Sequence, residues 1–290
     1  MDAKRPIDAA GAAGLIVFST TLALNQVVVK LTNDGFAPVF QAGLRSVLAL
    51  GIIGGWILWQ RLSLDLTRSQ VQWGVISGVL FAAEFVFLFN ALDLTSVARA
   101  SIIFYSMPVW LGIAAHILLP GERLSAGKIA GMALAFGGVV LALAERGGDA
   151  SLLGDALALL ASFGWAAIAL TVRATPLATV RPEIQLGFQL AVSGPVLLVL
   201  APAFGPLLRD LQPLHLWGLA FQVICVASLG FLFWFHLMKI YRASGVASFS
   251  FLSPVLAVIF GWLILGEETG VQVWGALALV AVGLILINRK

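Results

Sequence analysis

The chain has 290 residues, of which 60% are hydrophobic and 11% charged, and it carries a formal net charge of +3. The apolar residues gather into ten runs, each long enough for a helix to cross about 30 Å of hydrocarbon at about 1.5 Å per residue. The chain left between them is too short for a globular ectodomain, so whatever the protein does, it does within or across the bilayer.

In chain order the spans are predicted at residues 9–30, 37–59, 70–92, 95–118, 126–144, 152–173, 182–201, 215–238, 244–265 and 271–288. Met1 to Asp8 is short and charged, with no small-residue cleavage site before the first apolar run, and it reads as the start of a retained helix. In the second and third spans Arg45 and Glu84 lie inside apolar sequence. An ionisable group there costs at least ~2.5 kcal/mol, so it faces the bundle interior and has a task. Each lies about eight or nine residues below the outer end of its span, roughly 12–14 Å at 1.5 Å per residue. Equal depth on adjacent helices points to an Arg45–Glu84 pair. Such a pair either clamps two helices or meets a zwitterionic substrate, arginine holding carboxylate and glutamate holding ammonium. Glu84 is also the candidate for proton coupling.

Asn25, Gln41 and Asn90 fall in the outer halves of spans, where they bond other helices or a substrate. Lys30, near the outer end of the first span, is expected to snorkel. His116 and His236 lie near cytoplasmic helix ends. With His215 they are far apart in sequence, and the single cysteine, Cys225, has no histidine cluster beside it. No metal site is expected on that pattern, and no cofactor loop is found. Gly74/Gly78 and Gly127/Gly131 have the small-xxx-small spacing of close helix packing. Of nine tryptophans, Trp56, Trp59, Trp73, Trp217 and Trp274 lie near span ends and fit an aromatic belt, whereas Trp110, Trp165 and Trp262 lie deeper.

Charge position sets the orientation. Lys4, Arg5, Arg61, Arg68, Arg123, Lys128, Arg173, Arg181, Lys239, Arg242, Arg289 and Lys290 fall on one side of the ten spans, and Lys30, Arg99, Arg146 and Arg209 on the other. The positive-inside rule puts the first set, and both termini, in the cytoplasm. The basic balance therefore reflects topology rather than binding to nucleic acid. The expected partners are the lipid bilayer and a small-molecule substrate, and oligomeric state is left open.

The second half of the chain echoes the first. Tyr105-Ser106-Met107-Pro108-Val109 in the fourth span is matched by Phe251-Leu252-Ser253-Pro254-Val255 in the ninth. Gly121-Glu122 is matched by Gly266-Glu267, and the glycine-rich stretch Gly131 to Gly138 by Gly275 to Gly283. Five spans per half is an odd number, so the halves insert with opposite orientation, the inverted-repeat plan of secondary transporters. The predicted repeats are residues 1–145 and 151–290, joined by the polar stretch from Glu145 to Ser151. Pro108 and Pro254 occupy equivalent mid-span positions and are expected to kink their helices, either as static packing features or as hinges in alternating access.

These residues resemble the EamA-type branch of the drug/metabolite transporter superfamily. The resemblance rests on Asn25 to Lys30 ending the first helix, Leu44-Arg45 in the second, Tyr105 to Pro108 in the fourth and the helix end Gly121-Glu122-Arg123-Leu124, with a partly degenerate second copy. Tyr105 and the stretch Phe163-Gly164-Trp165-Ala166-Ala167 are similar to cavity aromatics of the aromatic and hydrophobic amino-acid exporters. A Trp-Gly early in helix one is usual there, and this chain has Thr21-Leu22-Ala23 instead. The residues and the resemblance together lead to the expectation of an all-α, ten-helix transporter of the bacterial inner membrane, not an enzyme, with export as the direction the resemblance implies and Tyr105, Trp165, Glu84, Arg45, Asn25 and Met107 as the candidate substrate-binding residues. A multidrug or nucleotide-sugar transporter of the same fold is the rival, and a passive channel a further one. An intramembrane enzyme would need a nucleophile–base or metal constellation, and none is found.

Overall fold

The computed structural model describes residues 5–119, 124–144, 151–241, 249 and 251–288. Among them lie eight helices long and apolar enough to cross a membrane, and two shorter apolar helices, which together account for all ten spans. The helix end Gly121-Glu122-Arg123, the linker from Glu145 and the first part of the ninth span lie largely outside the described residues.

The local chemistry sets the helix starts. Helix α1 (Ala9–Asn33) opens on Asp8, whose carboxylate accepts from Gly11 N at 2.8 Å. Helix α2 (Pro38–Trp59) begins with proline in its first turn, where a missing N–H costs nothing. Helix α3 (Arg68–Leu94) carries a reciprocal capping box between Thr67 and Gln70. The fourth span comes in two pieces, α4 (Val97–Phe104) and α5 (Met107–Leu118), with α6 (Ala126–Ala144) after them. The second half runs α7 (Leu152–Ala174), α8 (Pro182–Leu200), α9 (Pro213–Phe221), a π-helical stretch (Gln222–Ser228) and α10 (Leu229–Ile240). It ends with α11 (Leu252–Leu265) and α12 (Val271–Asn288). Gly266 closes α11 in the left-handed conformation, at φ +66°.

The two halves interlock about a pseudo-twofold axis. The most extensive packing joins α6 to α12, α3 to α7 and α2 to α8, each pair taking one helix from either half. Where α2 crosses α8, the equivalent serines Ser46 and Ser193 meet at 3.1 Å. Where α6 crosses α12, Gly131 lies against the backbone of Gly283, and Gly138 against that of Ala276. With a repeat offset of about 145, Ala276 answers Gly131 and Gly283 answers Gly138, so each contact is the partner of the other. Gly74 and Gly78 pack on Phe188 and Val192 of α8, so that close-packing pair serves the interface between halves.

The prolines do not kink continuous helices. Tyr105 and Ser106 form a turn, and Pro108 lies in the first turn of a new helix; Pro254 likewise lies in the first turn of α11. A helix start has unpaired N–H groups in any case, so breaking the span there relieves the penalty that an interior proline would impose. Lys30 does not snorkel: its Nζ donates to Thr95 O at 2.6 Å.

Candidate functional site

Arg45 on α2 and Glu84 on α3 are both buried, at 5% and 4% exposure. Each lies within the other's electrostatic field, yet they form no ion pair within 4.0 Å. The Arg45 guanidinium sits instead over the ring of Phe85, 4.7 Å from its centroid, and 5.8 Å from that of Phe89. The ring faces offset part of the cost of burying that cation. Arg45 Nε and Glu84 Oε2 have no hydrogen-bond partner. Gly164 of α7 lies close against Glu84; a Cβ built there would stand 3.2 Å from the glutamate Cβ. This glycine brings the α7 backbone up to the carboxylate's own helix.

The neighbouring residue, Trp165, faces the break in the fourth span. It stacks on Phe104 with centroids 4.9 Å apart and planes at 18°, and meets Tyr105 edge-on at 5.8 Å. Tyr105 is buried, and its hydroxyl lies beside Ser253 and Gln26. Thus spans one, four and nine converge on one phenol. Met107 opens α5, half-buried, immediately after the turn. Asn25 is buried with its Oδ1 unpartnered.

The other polar residues predicted inside the membrane divide. Asn90 donates to Val86 O of its own helix at 2.6 Å. Gln41 donates to Gln222 Oε1 at 3.2 Å, linking α2 to the π-helical stretch. Trp110 donates to Ser106 Oγ at 2.9 Å, while Trp262 is half exposed on the outside of the bundle.

Unpartnered buried atoms also occur on Gln26, Asn33, Gln41, Ser101, Glu183 and Ser228. Buried polar groups in proteins are nearly always satisfied, so each of these atoms is a candidate to meet a polar group of a ligand. Sequence reasoning missed Gln26, Ser253 and Ser228. Gln26 adjoins Asn25 and had the same signal; Ser253 immediately precedes the repeat proline. Ser228 lies in the π-helical stretch, whose register no 3.6-residue periodicity reports. The buried ion pair Arg99–Asp155 was missed as well: Arg99 Nη2 stands 2.5 Å from Asp155 Oδ2, and its Nε donates to Oδ1 at 3.2 Å.

Ten spans in two inverted halves, around a polar and aromatic interior, define the architecture of a secondary transporter. The chain belongs to the EamA-like transporter family, whose model matches twice, over residues 9–144 and 152–289. An uncharacterized transporter of Bacillus subtilis, YvbV, is 29% identical over 193 residues, 66% of this chain and 62% of that one. A second, YoaV, is 21% identical over 289 residues, covering 94% of each. A protein of Escherichia coli named a probable amino-acid metabolite efflux pump is 25% identical over 277 residues, 91% of this chain and 89% of its own. One crystal structure shares the fold with a TM-score of 0.67 at 21% identity, covering 94% of this chain and 97% of that one.

Proposed function

We propose that this transporter exports amino acids or closely similar metabolites, with a preference for hydrophobic and aromatic side chains, across the bacterial inner membrane by alternating access. The observation that carries the reading is the Arg45–Glu84 couple. Two opposite charges are buried at similar depth beside an aromatic wall, and each keeps an unpartnered polar atom. A zwitterion bound between them completes both at once, its carboxylate on the guanidinium and its ammonium on Glu84. Phe104, Tyr105 and Trp165 then offer ring faces and edges to an apolar side chain. The name of the Escherichia coli relative supports the same class. A nucleotide sugar requires several cations, and Arg45 is the one placed in this cluster. No enzymatic role is assigned; residues 1–145 and 151–290 act as the two rocking units, with Pro108 and Pro254 at their hinges.

The test is uptake of labelled phenylalanine into proteoliposomes without a gradient, with and without unlabelled amino acid inside. Saturable uptake stimulated by the internal load is expected. Uptake no greater than in empty liposomes overturns the amino-acid reading, and non-saturable uptake without counterflow makes the protein a channel.

Proton antiport through Glu84 is a second reading, favoured by its unpartnered carboxylate oxygen. Glu84→Gln separates the two. Loss of a charge-assisted hydrogen bond worth ~1.5–3 kcal/mol raises the exchange KM about tenfold or more in either case. Only an antiporter also loses accumulation driven by a pH gradient.

A further inference from the structure

Arg45 and Glu84 account for the charged ends of an amino acid but leave unused the polar group where spans one, four and nine meet. Gln26 is 4% exposed, and its Oε1 has no partner. Beside it lies the hydroxyl of Tyr105, and beside that the hydroxyl of Ser253, at 6% and 3% exposure. The turn before Pro108 and the helix start before Pro254 bring these hydroxyls together. Tyr105 sits in the turn that splits the fourth span, and Ser253 immediately precedes Pro254 in the first turn of α11. Gln26 sits on α1, the helix that packs most extensively against α11. By helix rise, Gln26 and Tyr105 lie about 10–12 Å below the outer ends of their spans, near the level of Arg45. The Trp165 ring stands edge-on to Tyr105 and stacks on Phe104, so an aromatic surface adjoins the polar group.

A buried amide oxygen without a donor is costly in an apolar setting, and the group that relieves it must carry a hydrogen. The Tyr105 and Ser253 hydroxyls can each donate or accept. A hydroxyl on the ligand answers both needs: it donates to Gln26 and accepts from Tyr105. We propose that Gln26, Tyr105 and Ser253 form a side-chain subsite for a ring hydroxyl, so that the transporter selects hydroxylated aromatic amino acids over those lacking the hydroxyl. This rests on the amino-acid reading above and adds to it the identity of the favoured side chain. The preference arises because a ligand without the hydroxyl leaves the buried amide oxygen unpaired, and sites of this kind discriminate far more strongly than apolar pockets do.

The test uses phenylalanine and tyrosine, which differ by one hydroxyl, as competitors in phenylalanine counterflow by the full-length protein in proteoliposomes. Tyrosine is expected to compete at a concentration about tenfold or more below that of phenylalanine. In Gln26→Leu the ratio falls towards one, and Tyr105→Phe, an independent variant in case the first does not fold, moves it the same way. Counterflow with a wild-type ratio within about twofold of one overturns the subsite and leaves the amino-acid reading standing. A wild-type preference that survives intact in monodisperse Gln26→Leu protein also overturns it. Absence of counterflow with either amino acid overturns the reading and the subsite together.

Discussion

The two ends of the bundle carry versions of one contact, built from different chemistry. At the outer end, Gly154 near the start of α7 lies against Thr95, just past the end of α3. At the inner end, Gly11 near the start of α1 lies against Tyr241, just past the end of α10. The repeat offset of about 145 relates the two glycines to each other, and Thr95 to Tyr241. The outer contact is tied by charges out of water. Thr95 Oγ1 donates to Asp155, Asp155 pairs with Arg99, and Lys30 donates to Thr95 O. Just past the end of α11, Glu267 accepts from Val97 N at 2.6 Å and Ala98 N at 3.0 Å, joining the second half to the start of α4. Among the described residues the inner contact carries fewer ties. The Tyr241 hydroxyl donates to Asp8 at 2.7 Å, and Arg5 N donates to Ile240 O at 3.0 Å. Among the described residues, the inverted repeats thus preserve the geometry of a contact while its chemistry differs between the two faces. In the alternating-access reading, that difference biases the protein towards a closed outer face.

The largest test is Asp155→Asn. It removes the carboxylate charge that faces Arg99, 3% exposed. Breaking one side of a buried ion pair costs about 3–5 kcal/mol. We expect a large fall in thermal stability in detergent. In the proposed transport cycle it also increases labelling of cysteines placed in the outer half of the cavity. If the melting temperature and labelling are both unchanged, the outer tie does not hold the ends together.

A second comparison uses the paired glycines. At Gly154 an added Cβ stands 2.8 Å from Thr95 Cβ, 3.0 Å from Thr95 N and 3.1 Å from Leu94 C, so backbone must move. At Gly11 the Cβ meets Tyr241 ring carbons at 2.6–2.9 Å, and the ring can swing. Gly154→Ala is expected to cost about 1–3 kcal/mol by overpacking. Gly11→Ala is expected to cost less, with the difference read by thermal unfolding of the two proteins side by side. Equal losses would mean that the Tyr241 ring is held as firmly as backbone.

The fold was legible because its signal is redundant. Ten apolar runs, the charge asymmetry and the Pro108/Pro254 echo each point to the same architecture. The breaks were not. A proline inside an apolar run reads as a kink, and only the Tyr105–Ser106 turn shows that the span splits so that proline can begin a helix. The π-helical stretch after α9 has no counterpart in α3, the corresponding span of the first half, which runs without interruption from Arg68 to Leu94. Its sequence, Gln222 to Ser228, is ordinary for a membrane helix. Arg45 and Glu84 stood out because a charge in hydrocarbon is rare. Gln26 and Ser253 did not, because neutral polar residues in spans most often bond a neighbouring helix, as Gln41 does. Asp155 and Arg99 fell near predicted span ends, where charges need no partner; three-dimensional burial changed their meaning.

The smallest effect is expected at the inner tie. Asp8 is exposed, and its pKa is lowered from 3.8, first by the hydrogen bond from Gly11 N and then by that from the Tyr241 hydroxyl. The folded state therefore favours the carboxylate, and the contribution is fully present above the unfolded value of 3.8. It is lost as pH falls through the depressed folded pKa. Tyr241 behaves oppositely: its pKa is raised, first by its bond to Asp8, so its contribution is present below 10.0 and lost as pH rises through the higher folded value. Asp8→Asn removes the acid-range dependence and the largest cause of the Tyr241 shift, and is expected to shift neutral-pH stability only slightly, because solvent screens the exposed Asp8 carboxylate. Thermal melts of wild type and Asp8→Asn across the acid range check this: the curves should lie close together at neutral pH, and the wild type alone should lose this part of its stability below 3.8. A large neutral-pH loss in Asp8→Asn, comparable to that of Asp155→Asn, would show that the two faces are tied equally strongly and remove the asymmetry on which the outer-closed preference depends.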